Sequence, residues 1–466
     1  MASRPRLVLP GVMLSIFLGA MESTVVATAM PVVVQSLGGI DIYSWVFSAF
    51  LLTSTVTMPL WGRVSDLLGR RRVYLTGLLV FLVGSALSGL ATSMAQLIAF
   101  RALQGLGAGS LITVGMTVVG ELYGLEGRAK MQGYFSGVWG VASLVGPMLG
   151  GVLSDHASWR WAFYLNVPFG IVAMLLIAAG LEDAPPRRRP RIDYAGVALF
   201  TAGISSLLLG LVQGGRAASW LTPGVLVPMG LAVVLIAVFL AVERRAPEPI
   251  VPPGLFRIPL VRAAAATGFL AGMAMFGAIS FVPLFLQQVT RMSATAAGFV
   301  LTPFVLGWIT CSIVSARLVL KVGYRGLVLS GMTCLLVGFV MFADWDAGVT
   351  RATAMLAVLI AGAGMGLIMV PMLIAVQNAV SATELGAATS LTQFFRSVGG
   401  AVGVSVMGAV MAHRLQRGLD MGGALHGVFV VGLVVCVAAV LSAFMVPPGT
   451  AQELAAPDTA RAAGHS

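Results

Sequence analysis

The sequence predicts an all-α membrane protein with fourteen transmembrane helices: two six-helix bundles and a two-helix insert between them. Three observations lead there. Hydrophobic residues make up 58% of the 466 and charged residues only 10%, against about 25% charged in an ordinary soluble domain. Apolar runs of bilayer-crossing length lie near 7–30, 43–61, 73–91, 97–119, 132–153, 162–181, 194–212, 223–242, 263–285, 298–316, 326–343, 353–376, 388–411 and 425–445. The longer polar stretches, 182–193, 243–262 and the tail from 447, are too short for a soluble domain, and the first two are rich in Pro and Arg.

Those stretches read as tethers between helical blocks. They give a first bundle at 1–181, linkers and an insert at 182–262 (spans 194–212 and 223–242), a second bundle at 263–446 and a tail at 447–466. A six-plus-six layout suggests internal duplication, with the substrate site between the halves. An even number of spans puts both termini on one side, and Lys and Arg decide which. Twenty of the 28 fall in loops on the terminus side, from Arg4 and Arg6 through Arg187, Arg188 and Arg189 to Arg461. Both termini are therefore expected in the cytoplasm of a multi-pass cell (inner) membrane protein. The net charge of +11 reflects loops facing anionic lipid and calls for no nucleic acid.

The first run carries Glu22, the one acid well inside an apolar stretch. It lies ~22 Å past Leu7, at or a little beyond mid-membrane. An ionisable group there costs roughly 3 kcal/mol or more, which makes it a functional candidate. With Arg4 and Arg6 ahead and Ala27-Thr28-Ala29 behind, the run has features of a cleaved signal, but it is too long for a typical one, and Glu22 is expected to be retained. In the fourth span, Arg101 opens Arg101-Ala102-Leu103-Gln104-Gly105. A buried cation must find a carboxylate, carbonyls or water, and Glu22 is the intramembrane acid available. Arg101 is read either as a partner of Glu22 or as a structural arginine bonded to backbone carbonyls.

After the second span comes Gly62-Arg63-Val64-Ser65-Asp66-Leu67-Leu68-Gly69-Arg70-Arg71-Arg72. Gly62 and Gly69 permit a tight return and close helix approach. Asp66 suits a helix N-terminus or a pair with Arg70. Glu121, ending the fourth span, is read as a partner of Arg70 or as a solvated helix end. The fifth span holds Gly133, Ala142, Gly146, Pro147, Gly150 and Gly151; Ala142, Gly146 and Gly150 make one small face for a neighbouring helix, and Pro147 bends the helix. Trp159-Arg160-Trp161-Ala162-Phe163-Tyr164-Leu165-Asn166-Val167-Pro168 begins the sixth span with interfacial aromatics.

These segments together resemble the major facilitator superfamily, and within it the fourteen-span drug:proton antiporter branch. The loop from Gly62 is similar to the family's Gly-x-Leu-x-Asp-x-x-Gly-Arg-Arg signature, with Val64 at the leucine. Gly133 to Gly151 resembles its antiporter motif, with Ala142 at the second glycine. The Trp159–Pro168 element resembles one in that branch, as does Met21-Glu22-Ser23-Thr24-Val25-Val26, where Glu22 stands for the branch's aspartate. The resemblance implies that the signature loop latches the halves on the cytoplasmic side, that Arg101 tunes the proton-carrying region and that the glycine–proline motif marks an exporter. The second half carries fainter echoes: Ala316–Arg325 looks like a degraded signature loop, and Gln393, Arg396, Gly399 and Gly400 resemble the branch's thirteenth span.

Other classes are disfavoured. Neither lysine, Lys130 nor Lys321, sits in a Gly-x4-Gly-Lys-Ser/Thr phosphate loop, so the chain holds no ATP motif. The four histidines are too scattered for a metal site, no nucleophile–base pair stands out, and Cys311, Cys334 and Cys436 read as apolar packing residues. Neither a catalytic residue nor a metal ligand is assigned, and no cofactor is expected, the proton gradient being the drive. The expected partners are a small hydrophobic molecule, protons and the bilayer, with the chain as a monomer. Gln104, Met273, Phe276, Met365, Met369, Gln393 and Phe395 are the candidate cavity residues. No acid lies inside a second-half span, so neutral hydrophobic compounds or monovalent lipophilic cations fit better than dications. A dedicated exporter of one endogenous product and a nutrient importer are the alternatives.

Overall fold

In lipid the backbone must satisfy its own hydrogen bonds, and a chain this apolar does so as helices. The computed structural model describes residues 4–39, 42, 45–182, 193–216, 220–247, 249–292 and 294–454. Its helices are α1 Pro5–Leu37, α2 Trp45–Leu68, α3 Arg70–Leu90, α4 Met94–Leu122, α5 Leu125–His156, α6 Trp161–Tyr164, α7 Asn166–Gly180, α8 Tyr194–Arg216, α9 Pro223–Glu243, α10 Pro259–Gln288, α11 Ala294–Ala343, α12 Arg351–Ala379, α13 Leu385–Gln416 and α14 Met421–Ala443. The boundaries follow local chemistry. Pro5, Pro223 and Pro259 open their helices, where a missing N–H costs nothing. Ser93, Thr350 and Asp420 cap α4, α12 and α14, satisfying an orphan N–H in each first turn.

Twelve segments among the described residues are long and apolar enough to cross a membrane. That count differs from the fourteen expected for two reasons. The runs 298–316 and 326–343 are joined in α11, which is interrupted at Gly323 (φ 76°). The run 132–153 lies in α5, which is 32 residues long but not among the twelve. This is a multi-pass membrane protein.

Two apolar cores organise the bundle. One unites residues of α1–α7, among them Val12, Ile16, Phe81, Leu111 and Phe163; the other unites residues of α10–α14, among them Phe285, Phe339, Met365 and Phe429. Helices α8 and α9 belong to neither. A third cluster places Phe200, Ile204 and Leu208 of α8 against Val56 of α2 and Phe394 and Val398 of α13, with Phe200 5.3 Å from Phe239 of α9 and 5.5 Å from Phe394. Thus α8 covers a seam between α2 and α13, while α9 turns Val227, Val233 and Val234 outward.

Candidate functional site

Two constellations stand out. The first surrounds Glu22. Its Oε1 accepts a hydrogen bond from Arg101 Nη1, and the two side chains form an ion pair. Its Oε2 accepts from Asn166 Nδ2 at 2.5 Å. Asn166 Nδ2 also donates to Ser85 Oγ at 2.9 Å, and Ser85 donates to the Phe163 carbonyl at 2.9 Å. Arg101 donates to Gln104 Oε1 at 2.8 Å and to the Val46 carbonyl at 3.3 Å. Its guanidinium lies 4.1 Å from the Phe50 ring centre and 5.8 Å from that of Phe163, positions in which a cation meets the negative ring face.

Glu22, Asn166, Gln104 and Ser85 have no exposed surface, and Arg101 has 1%. Trp45, Met94 and Asn166 begin α2, α4 and α7, so the cluster lies in the half of the bundle away from the termini. A carboxylate sealed this way holds its charge only through its partners, since an unpaired buried charge is far costlier than a paired one. Protonating Glu22 would leave Arg101 with carbonyl and amide acceptors alone.

The second constellation lies on the terminus side. Gly69, at φ 97°, turns the chain from α2 into α3 and brings Arg70 back over Asp66, 2.5 Å between Nη2 and Oδ1. Arg70 also donates to Glu121 from Nε and Nη2 (2.9 and 2.8 Å) and to Ser65 Oγ (2.6 Å). Asp66 accepts the backbone N–H groups of Gly386 and Ala387, both at 2.9 Å. These belong to the first turn of α13, where unpaired N–H groups and the helix dipole favour a negative charge. Gly62 sits so close to the Gly386 carbonyl and Ser390 that a Cβ there would collide with both.

Nearby, Arg128 of α5 donates to the Gln377 carbonyl at the end of α12 (2.9 Å), and Gln377 Nε2 reaches the Met116 carbonyl (3.2 Å). The first-half loop and helix ends therefore close directly onto α12 and α13. Arg71 is exposed at the start of α3.

The small face of α5 packs on α1. A Cβ on Gly146 would strike Thr24, one on Gly150 would strike Thr28 and the Val25 carbonyl, and Gly133 faces Ile313 of α11. Ala142 is fully buried. Pro147 and Gly151 are helical; their surroundings lie outside the described residues.

The candidate cavity residues separate. Gln104 is drawn into the Glu22 cluster, and Met365 is fully buried in the second core. Met273 and Phe276 pack on Gly403 and Gly400 of α13, Met369 approaches Arg396 at 3.5 Å, and Gln393 is buried. Phe395 packs edge-on against Phe256 of the short 3-10 turn Pro253–Arg257, centres 6.1 Å apart. Sequence reasoning missed Ser85 and the role of Asn166. Asn166 was visible in the element from Trp159 to Pro168, but nothing local said that its amide would meet Glu22. The α13 N-terminus as the seat of Asp66 was equally silent, being set by backbone N–H groups that any residue carries.

The family model of the Major Facilitator Superfamily matches residues 12–404. The chain is 40% identical over 412 residues to a multidrug transporter protein, MdtP, of Bacillus subtilis, covering 88% of this chain and 76% of that protein. It is 34% identical over 418 residues to multidrug resistance protein 3 of the same organism, covering 89% and 81%. The crystal structure of a human organic anion transporter, MFSD10, superposes with a TM-score of 0.70 at 17% identity over 94% of this chain and 99% of that one, a likeness of fold. The chain belongs to the major facilitator superfamily and is a transporter, not an enzyme.

Proposed function

We propose that this chain is a proton-coupled antiporter that exports hydrophobic compounds from the cytoplasm by alternating access, driven by the proton gradient with no cofactor. The observation that carries the reading is the fully buried carboxylate Glu22, paired with Arg101 and bonded to Asn166. In that reading Glu22 takes a proton from outside, the neutral acid releases Arg101, and the altered contact between α1 and α4 favours the inward-facing state. Proton release to the cytosol then lets substrate bind. The latch from Asp66 to α13 belongs to the outward-facing state, in which the cytoplasmic side is closed. The tight contact of α1 with α5 through Gly146 and Gly150 supports export over uptake by resemblance to the antiporter motif, and the relatives named as multidrug proteins support a broad substrate range.

The membrane topology that fits this reading has fourteen spans: α11 counts as two, parted at Gly323; α6 and α7 form one; and α5 crosses as well. Helices α1–α7 and α10–α14 then make two bundles, with α8 and α9 as the insert and both termini cytoplasmic. Reporter fusions after Arg191 and near the C-terminus are expected to report cytoplasm, and one after Asp344 the exterior. An exterior C-terminus overturns the topology.

Coupling is tested in proteoliposomes by following substrate-dependent proton movement. Wild type is expected to exchange substrate for protons, and Glu22→Gln, which keeps shape but cannot release a proton, to lose gradient-driven efflux. Full coupled antiport by Glu22→Gln refutes the assignment. A substrate range limited to one compound would favour the alternative of a dedicated exporter, and net uptake in oriented vesicles an importer.

A further inference from the structure

The faces that α12 and α13 turn toward the first half can be followed outward from the closed terminus side. Gln377 bonds both the Met116 carbonyl of α4 and Thr389 Oγ1 of α13, at 3.2 and 3.3 Å. One turn farther along α12, Leu373 packs into the first-half core. The next residue on that helical face is Met369. Two turns beyond Thr389 on the same face of α13 is Arg396, whose Nη1 donates to Met369 Sδ at 3.5 Å. The guanidinium thus stands about 11 Å beyond the seal. Met369, Arg396 and Phe276, whose ring lies over Gly400 one turn past Arg396, are each only partly buried. Met369 and Phe276 also pack against the second core.

This arginine differs in kind from the other intramembrane charges. Arg70 is ion-paired to Asp66 and Glu121, and Arg101 to Glu22; among the described residues Arg396 has no ion-pair partner. Its side-chain hydrogen bond goes to a thioether, a weak acceptor. No Asp or Glu occurs anywhere within α10, α11, α12, α13 or α14, and Glu22 is sealed behind Arg101. A guanidinium near mid-membrane without a counter-ion is costly unless it lines a pathway. It offers a planar fork of N–H donors matched to two oxygens of one acid group. Beside it Met369, and Phe276 over Gly400 one turn away, supply soft apolar surface that adapts to varied bodies.

We propose that Arg396 is the recognition residue for an acidic group on the exported compound, so that the favoured substrates are anionic amphipaths carrying a carboxylate or sulfonate on an apolar ring system. This rests on the export reading and turns it away from lipophilic cations, which Arg396 repels. An anion neutralises the cavity it occupies, which eases closing the seam around it. Export of a monoanion against one proton is electrogenic, whereas export of a monocation against one proton is electroneutral.

The test uses two dyes that differ by one group: 8-anilinonaphthalene-1-sulfonate and its uncharged analogue N-phenyl-1-naphthylamine. Binding to purified full-length protein in nanodiscs is measured by equilibrium dialysis against empty nanodiscs. Wild type is expected to bind the sulfonate about tenfold tighter than the neutral dye, Arg396→Gln to lose about that factor for the sulfonate while holding the neutral dye within about twofold, and Arg396→Lys to fall between. Elution profile and melting temperature report whether each variant is folded. Three results overturn the proposal: no saturable sulfonate binding by wild type, equal sulfonate affinity in wild type and Arg396→Gln, or equal loss of both dyes in a folded Arg396→Gln. Transport is read separately in proteoliposomes under an imposed pH gradient. If the sulfonate is bound through Arg396 but moves with no gradient, the proton-coupled export reading fails and the anion site stands.

Discussion

The two halves of the molecule answer the same structural problem with different chemistry. In the first half, Gly69 at φ 97° joins α2 to α3; in the second, Gly323 at φ 76° bends α11 at the corresponding place. Next to Gly69 stands Arg70, bound to Glu121 near the end of α4. Next to Gly323 stands Tyr324, whose hydroxyl accepts from Asn378 near the end of α12 at 3.4 Å. Asp66, three residues before Gly69, reaches across to α13; Leu320, three before Gly323, packs into its own core. The second-half contact is closed by its own chain: Asn378 donates to the Ala451 carbonyl at 2.9 Å, and the Gly449 carbonyl lies against Gly323. In the proposed alternating access a contact between halves breaks and re-forms in each cycle, and charges that separate into water are rehydrated, so breaking costs little net. In that scheme a contact inside one half stays closed, and neutral hydrogen-bonded groups hold it at a smaller desolvation cost than charges would. The degraded second loop is therefore read as a change of task.

The depths of the halves contrast in the same way. Glu22 in α1 is paired and sealed, while Phe276 stands at the same distance from the proline that opens α10. Breaking the charged side of this comparison has the largest expected effect. Arg101→Ala leaves the buried Glu22 carboxylate without its counter-charge, and removing one member of a buried pair costs about 3–5 kcal/mol. The expected outcome is a clear drop in melting temperature together with loss of gradient-driven transport. The double variant Glu22→Gln/Arg101→Gln, with no charge left, is expected to regain much of the thermal stability and none of the coupling. An Arg101→Ala protein that melts like wild type would show that the pair carries no such energy.

A smaller effect is expected at the latch. Asp66→Asn keeps an acceptor for one N–H of α13 but removes the charge that holds two of them and Arg70. Hydrogen bonds to charged groups contribute about 1.5–3 kcal/mol, so the closed state is expected to lose roughly a factor of ten or more against the open one. Single cysteines on the terminus-side ends of α2 and α13 then react faster with an impermeant thiol reagent, and transport falls while membrane insertion is unchanged. Gly62→Ala is expected to act in the same direction, because its methyl group meets the Gly386 carbonyl and Ser390. Unchanged labelling and transport in both variants would remove the latch role.

How much of this was legible in the sequence follows from where each interaction is encoded. The helical character and the apolar runs are written in local composition, which lipid reads directly. The Arg70–Glu121 contact was legible as one of two readings, because an arginine beside a tight turn and an acid at a span end have few other uses. The Glu22 cluster was half legible: a lone acid in the first apolar run and a lone arginine in the fourth point to each other, but Asn166 and Ser85 join through side-chain directions that the sequence does not display. Gln104 is a different case. It was named among the cavity residues, and its place one turn past Arg101 lets its amide oxygen serve Arg101 itself at 2.8 Å. Met365 was read as cavity lining from residue type alone, and its helical face belongs to the core.

The smallest expected effect lies on the neutral side of the comparison and sharpens it most. Tyr324→Phe removes the hydroxyl that accepts from Asn378 at 3.4 Å, a long hydrogen bond, and leaves the ring in its fully buried site. Asn378 keeps its bond to the Ala451 carbonyl, so no donor is stranded. A neutral hydrogen bond contributes about 0.5–1.5 kcal/mol, and one this long belongs at the low end. Because the contact stays closed in both states, its loss weighs on both equally, and a perturbation that is equal in two states shifts no population between them. Tyr324→Phe is therefore expected to lower the melting temperature slightly, to leave cysteine labelling on the terminus side unchanged, and to hold transport within about twofold of wild type. The same measurements on Asp66→Asn supply the contrast. If Tyr324→Phe instead increases labelling as much as Asp66→Asn does, the second-half loop is a moving gate as well, and the division of labour between the halves is wrong.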